Sequence, residues 1–380
     1  MSTAGSTIAA PPETQPTPGA EDDIGTQIEA FAGRILEAFL GAADIVSAYV
    51  GETLGLYRAL GDDGPATSDE LARRADLDER YTREWLEQQA VTGILEVDDA
   101  ADDAGERVFR LPPAHAEVLL NADGMAYLAP VTRMLVGVMP QLPALLDAFR
   151  TGGGVAWSQH GALLREAQAE LNRPLFLNQL GQSILPSIPE VHERLSRPGA
   201  RVADIGCGGG WSAIAVALAY PGVQVLGIDD DPATIDLARH NAAEAGVSDR
   251  VRFQLQDAAT LTTQGDFDLV AAYEVIHDLA QPVETLRAMR ALAGPDGRVL
   301  VMDDKVAESF TTEGDPIERL MYAASIFVCL PAGRATHPSA ATGTVMRPGT
   351  FRAYAQEAGF QRMEILPVDA GFFRTYLLQG

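Results

Sequence analysis

Asp204-Ile205-Gly206-Cys207-Gly208-Gly209-Gly210-Trp211-Ser212 is the stretch that decides how this chain folds. An apolar run over residues 201–205 leads into it, and a helical pattern opens behind it at Ser212. Glycines at such a place let the backbone turn tightly and come close to a ligand. The free amides at a helix start favour a polar or anionic group. Gly-x-Gly-x-Gly by itself is shared by many nucleotide-binding folds. Asp204, just ahead of the first glycine, narrows the choice. A carboxylate there suits a ligand with a cationic amino group and repels a phosphate, which argues against a nicotinamide-dependent dehydrogenase.

Outward from this loop the pattern alternates between strand and helix. Strands are expected over 201–205, 224–228, 251–256, 267–273 and 298–303, with helices over 212–218, 232–245 and 282–293. Repeated β-α-β units imply a parallel sheet wound on both faces by right-handed crossovers. A late helix over 350–357 and strands over 363–366 and 372–378 finish the sheet. The second strand ends at Asp229, followed by Asp230 and Asp231, and the third ends at Asp257. Asp204, Asp229 and Asp257 thus fall on three successive strand ends, at the carboxyl edge where such folds bind ligands. A carboxylate at 229 can accept from both hydroxyls of a ribose, and Asp257 from an adenine amino group beside the Ala258 amide.

Toward the N-terminus the pattern is different. Residues 1–25 are rich in Pro, Thr, Ala, Gly and acids and read as a disordered tail. Ile28, Phe31, Ile35 and Phe39 then repeat at helical spacing, followed by a second apolar run from Ile45 to Tyr57 that closes near Gly61. Residues 27–60 carry more apolar surface than one small domain covers, so a homodimer is expected. Thr67-Ser68-Asp69-Glu70 is a capping box. A helix over 81–92 and a hairpin of 94–97 with 108–111 complete a winged-helix arrangement. Residues 114–195 read as helices interrupted at Pro130, Pro140, Pro174 and Pro186, forming a roof for the site. The expected division is a tail (1–25), a winged-helix and dimerisation domain (26–120), a helical linker and cover (121–198) and a ligand-binding α/β domain (199–380).

Composition bounds the function. In 380 residues, 47% are hydrophobic, which is enough for sizeable cores. The formal net charge is −25, and Lys305 is the one lysine. Such a field disfavours nucleic acid and anionic membranes as partners. No apolar run approaches the roughly 18–20 residues of a membrane span. Met1 to Ala20 has neither a basic residue nor an apolar core, so no secretory signal is expected. Cys207 and Cys329 are too few for a disulfide framework, and no Cys/His cluster has zinc-ligand spacing, so no metal is expected and the location is cytoplasmic.

From about Arg201 onward the chain resembles the class I S-adenosylmethionine methyltransferases. The resemblance includes Phe267-Asp268-Leu269-Val270 and Gly294-Pro295-Asp296-Gly297. It implies a Rossmann-like, seven-stranded doubly wound sheet in order 3-2-1-4-5-7-6, with the seventh strand antiparallel. It also implies S-adenosylmethionine (SAM) as cofactor. Gly206, Gly208 and Gly210 would lie under its methionine part, Asp229 on the ribose, and Asp257 with Ala258 at the adenine; Asp204, Cys207 and Asp230 are further candidates for binding it. The whole chain further resembles a bacterial subgroup with an N-terminal winged helix. That match rests on Asn172-Arg173-Pro174, Glu274-Val275-Ile276-His277-Asp278, Cys329-Leu330-Pro331 and the segment from Thr342 to Pro348.

Glu274 and His277 follow the fourth strand, beside the expected methyl position. His277 with Asp278 is a candidate base, with a histidine that merely caps the next helix as the alternative. Glu274 is a candidate for cofactor contact or for shaping the pocket. His337 sits in a loop of small residues that could close over substrate. The reading is methylation of a small metabolite, on oxygen before nitrogen or carbon. Two alternatives stay open: a SAM-sensing regulator that binds DNA through its winged helix, and a SAM-fold enzyme that catalyses a different reaction.

Overall fold

The computed structural model describes residues 20–98, 104–262, 264–265 and 267–380, with side chains from residue 23 onward. The expected tail lies outside these residues up to residue 19, whereas residues 20–25 belong to a helix, Ala20–Thr53. The first apolar run and the second as far as Val50 share that helix, while Tyr57 falls in the next one. It ends just before Gly55, which takes a left-handed φ of 71°, and Leu56–Asp62 is a separate short helix. A single glycine inside a helix costs only about 1 kcal/mol, so Gly41 does not divide it.

The capping box forms as expected. Glu70 N–H donates to Thr67 Oγ1 at 3.3 Å, and Thr67 N–H donates to Glu70 Oε2 at 3.0 Å. Asp78 caps the next helix, Glu79–Val91. Strands β1 (Glu96–Asp98) and β2 (Val108–Arg110) pair antiparallel, and part of the turn between them lies outside the described residues. Leu56, Tyr57, Leu71, Trp85, Leu86 and Phe109 make one core under this winged helix. Trp85 also donates to Ser47 O at 3.0 Å and pins the long helix to it.

The second half is a seven-stranded sheet of β3 (Arg201–Ile205), β4 (Gln224–Asp229), β5 (Val251–Leu255), β6 (Leu269–Tyr273), β7 (Arg298–Asp304), β8 (Arg362–Ile365) and β9 (Phe373–Gln379). Its order is β5-β4-β3-β6-β7-β9-β8. Strands β3 to β7 run parallel, and β9 is antiparallel to both β7 and β8. Numbered from β3 as the first strand, the order reads 3-2-1-4-5-7-6. Each face is sealed by its own core. One includes Leu180, Ile184, Leu195 and Ile214, the other Leu286, Met289, Phe351 and Tyr376.

Between the halves, Pro174 does not break the chain direction as expected. It lies inside the helix Gly161–Leu175, which continues into wider π-helical turns over Phe176–Ile184. A proline removes one helical hydrogen bond and crowds the preceding turn, and i→i+5 turns accommodate that misfit. The same stretch is tied to the N-terminal half. Arg133 Nε pairs with Glu52 Oε1 at 2.8 Å, and its guanidinium also pairs with Glu170. Among the described residues, no helix is long and apolar enough to cross a membrane.

Candidate functional site

The glycine loop closes onto the neighbouring strand. Gly206 and Cys207 N–H groups donate to Ile228 O at 2.8 and 3.1 Å, and Gly210 N–H to Cys207 O at 2.9 Å. Gly206 has φ 66°, and a Cβ there would run into the Val275 side chain. Gly208 has φ 51°, and a Cβ there would meet nothing within 4 Å, so the loop opens outward at that point. The Cys207 thiol turns inward against Gly227, and burial raises its pKa well above the ordinary thiol value. Only the backbone of Cys207 therefore belongs to the loop surface.

Asp204 is buried at the end of β3 and accepts from Ser212 Oγ at 2.5 Å through Oδ2. Its Oδ1 has no hydrogen-bond partner, and neither has the buried Tyr273 hydroxyl. Burial pushes Asp204 up to about 7. Asp229, half-buried at the end of β4, accepts one amide on each oxygen, from Gly208 at 3.0 Å and from Asp231 at 3.0 Å. Burial raises it to about 6 despite those bonds. Asp230 is exposed beside it, and partial burial with the Asp257 charge also raises its pKa. Asp231 instead caps the following helix through Thr234 N–H at 2.9 Å and takes Arg165 Nε at 2.9 Å. Asp257 is exposed beyond β5 and accepts from Ala259 N–H at 2.9 Å, while Ala258 is half-buried.

Glu274 follows β6 with φ 55°, a left-handed conformation that a residue with a side chain adopts only when its surroundings hold it. Its N–H donates to Met302 O at 2.7 Å. Its carboxylate accepts from Gln168 Nε2 at 3.3 Å on each oxygen and from Asn172 Nδ2. Burial pushes Glu274 up to about 7, against the opposing pull of His277 and Asn172. His277 is 2% exposed, with Nδ1 2.6 Å from Asp303 Oδ1 and Nε2 3.2 Å from Asp278 Oδ1. Burial works against a charged ring, but Asp303 and Asp278 outweigh it and hold the pKa well above the ordinary histidine value. Enclosure between these carboxylates favours the protonated ring, a form that is a poor proton acceptor. His337 is exposed in its loop.

Spacing in sequence hid two features. Ligating atoms of His277, Asp303 and Asp304 lie within 4.8 Å of one another, as do those of His277, Asp278 and Cys329. His277, whose protonated form the carboxylates favour, is common to both groups. The amides of Gln168 and Asn172 carried no signal of chemistry beyond Asn172's place in a family-like motif. His160, buried with neither ring nitrogen bonded, gave none either.

Comparison with known proteins bears on the family and the fold. Residues 196–324 match a methyltransferase domain, and residues 42–121 match an Rv2258c-like winged HTH domain. The ubiquinone biosynthesis O-methyltransferase of Pseudomonas aeruginosa (strain LESB58) is 30% identical over 179 residues, which is 46% of this chain and 71% of that protein. The solved structure of the mitomycin 7-O-methyltransferase MmcR superposes with a TM-score of 0.68 at 23% identity, covering 93% of this chain and 99% of that one. Human N-acetylserotonin methyltransferase in complex with SAM gives a TM-score of 0.66 at 18% identity, covering 92% and 97%. With a glycine loop, strand-end carboxylates and a relative of this identity and coverage, the chain belongs to the family of SAM-dependent methyltransferases.

Proposed function

We propose that the chain methylates a hydroxyl oxygen of a small, largely apolar metabolite held between the two halves. The observation that carries this reading is the convergence of Asp204, Asp229 and Glu274 on one end of the sheet, beneath the helix Gly161–Leu175. A ligand with an ammonium group fits Asp204, whose Oδ1 is buried without a partner. Each oxygen of Asp229 uses one lone pair on an amide and keeps another for a ribose hydroxyl. Gly206, Gly208 and Gly210 would lie under the methionine part, Asp230 near the ribose, and Asp257 with Ala258 at the adenine.

When bound, SAM supplies a methyl group on a cationic sulfur, which keeps both C–S electrons as the methyl passes to oxygen. The protein then has to align the acceptor, exclude water and take the hydroxyl proton. Glu274 is the group for that proton, at a side-chain oxygen, because it is acidic enough to be ionised near neutral pH and basic enough to accept. His277 serves it as a fixed positive charge.

In this reading residues 26–120 also build a homodimer, 121–198 cover the site and 199–380 bind the cofactor. The protein works in the cytoplasm, with Cys207 and Cys329 as thiols. A DNA-binding role has the winged helix in its favour. However, Arg80 and Arg83 pair with Glu84 and Glu79 on their own helix, and Arg107 with Glu87, so little positive charge is left for phosphates. The test is incubation with SAM and a panel of hydroxylated aromatic and aliphatic compounds, following S-adenosylhomocysteine by mass spectrometry. An O-methylated product supports the reading. Methylation only at nitrogen or carbon, or tight SAM binding with no release on any acceptor, overturns it.

A further inference from the structure

The helix Gly161–Leu175 touches the carboxyl edge of the sheet at three polar positions. Arg165 Nε reaches Asp231 Oδ2 at 2.9 Å, Gln168 Nε2 reaches both oxygens of Glu274 at 3.3 Å, and Asn172 Nδ2 reaches Glu274 Oε2. Positions spaced by three and four residues fall on one helix face. The same face carries Ala169, whose Cβ would be 2.6 Å from a Cβ placed on Gly209. This helix therefore packs on the glycine loop and grips the Glu274 carboxylate at once.

The chemistry of that grip has a direction. A side-chain NH2 group only donates, so it favours a carboxylate and disfavours the protonated acid. Two amides facing both oxygens also fix the plane of the group, whose backbone is already held in the left-handed region. The charged groups that act on Glu274 come from the other side: His277 and Asp278 from the segment after β6, Asp303 and Asp304 from β7. The three aspartates oppose its ionisation and His277 supports it, so the amides add the support that comes from the covering helix.

We propose that Asn172, assisted by Gln168, is the positioning residue for Glu274: it keeps the carboxylate ionised and aimed for the acceptor's proton when the covering helix is seated on the glycine loop. This rests on the reading of Glu274 as proton acceptor. A structural role alone, in which the amides merely cover a buried acid, leaves the titration of Glu274 where it is.

The experiment uses full-length protein with 13C-labelled glutamate carboxyls, SAM present, and the Glu274 signal assigned by its loss in Glu274→Gln. Asn172→Ala is expected to move the Glu274 midpoint upward by about one pH unit or more, since a hydrogen bond to a charged group is worth about 1.5–3 kcal/mol. Gln168→Ala is expected to move it less, and Asn172→Ser, which keeps a donor, to fall between. SAM affinity by calorimetry above all the midpoints is expected to stay unchanged. Circular dichroism checks each variant, and the serine variant carries the test if alanine does not fold. An unmoved midpoint in a folded Asn172 variant overturns the proposal, as does a loss of SAM affinity in place of the shift. Turnover separates the two levels, using the acceptor found in the release screen. Normal turnover of Glu274→Gln removes the proton-acceptor reading and the proposal with it. An inactive Glu274→Gln with an unmoved Asn172→Ala midpoint removes only the part assigned to Asn172.

Discussion

At the scale of single residues, Asp229 and His277 separate the two uses of charge in this site. Asp229→Ala removes a carboxylate proposed for the ribose, and SAM affinity should fall roughly tenfold to a hundredfold. An unchanged dissociation constant by calorimetry would move the ribose contact to the exposed Asp230. His277→Ala has a different expected signature. It leaves Asp303 buried without its cation, and losing one member of a buried ion pair costs about 3–5 kcal/mol. Thermal denaturation should therefore drop sharply, whether or not an acceptor is present. A His277 variant of native stability that has lost turnover would instead make His277 the base. The sequence carried Asp204, Asp229 and Asp257 plainly, because strand ends and a glycine loop put them in register. It could not carry the burial of His277, since Asp303 lies 26 positions away and meets it only through the pairing of β6 with β7.

At the scale of elements, β3, β4, β6 and β7 were legible because buried strands are continuous apolar runs bounded by turn residues, and the edge strand β5 by its alternation of apolar and polar residues. The fate of Pro174 was not. Whether a proline ends a helix or is absorbed in wider turns depends on what packs around it, here Phe176, Leu180 and Ile184 in the core beneath. The long helix Ala20–Thr53 was half legible. Its period was clear, but its continuity past Gly41 was not. Ile28, Phe31, Ile35 and Phe39 on it are exposed at 63, 63, 55 and 67%. An apolar stripe of that size is expected to be covered by the same helix of a second chain. Light scattering should report a dimer at micromolar concentration, and Phe31→Glu with Phe39→Glu should shift it to monomer. A monomeric parent protein would contradict this.

At the scale of the whole molecule, the −25 charge and the raised strand-end acids act together. Asp204 and Glu274 at about 7 and Asp229 at about 6 stand above their unfolded values, so the folded state without cofactor prefers them protonated. Their contribution is complete below the unfolded carboxylate range and is lost as pH rises through about 4 to 7. Cofactor-free protein should thus melt several degrees lower at pH 8 than at pH 5, with SAM reversing part of the loss. A melting temperature that rises steadily over that range would contradict these shifts. Arg133 has a consequence for modularity. Its guanidinium joins Glu52 of the long helix to Glu170 of the helix that carries Gln168 and Asn172. Cutting the chain where the winged helix ends, near residue 120, would leave Glu52 without its cation and Arg133 with only one of its two carboxylates. The catalytic half is therefore not a cartridge that can be lifted out and joined to another N-terminus. Grafts should keep residues 20–195 together with the sheet they roof.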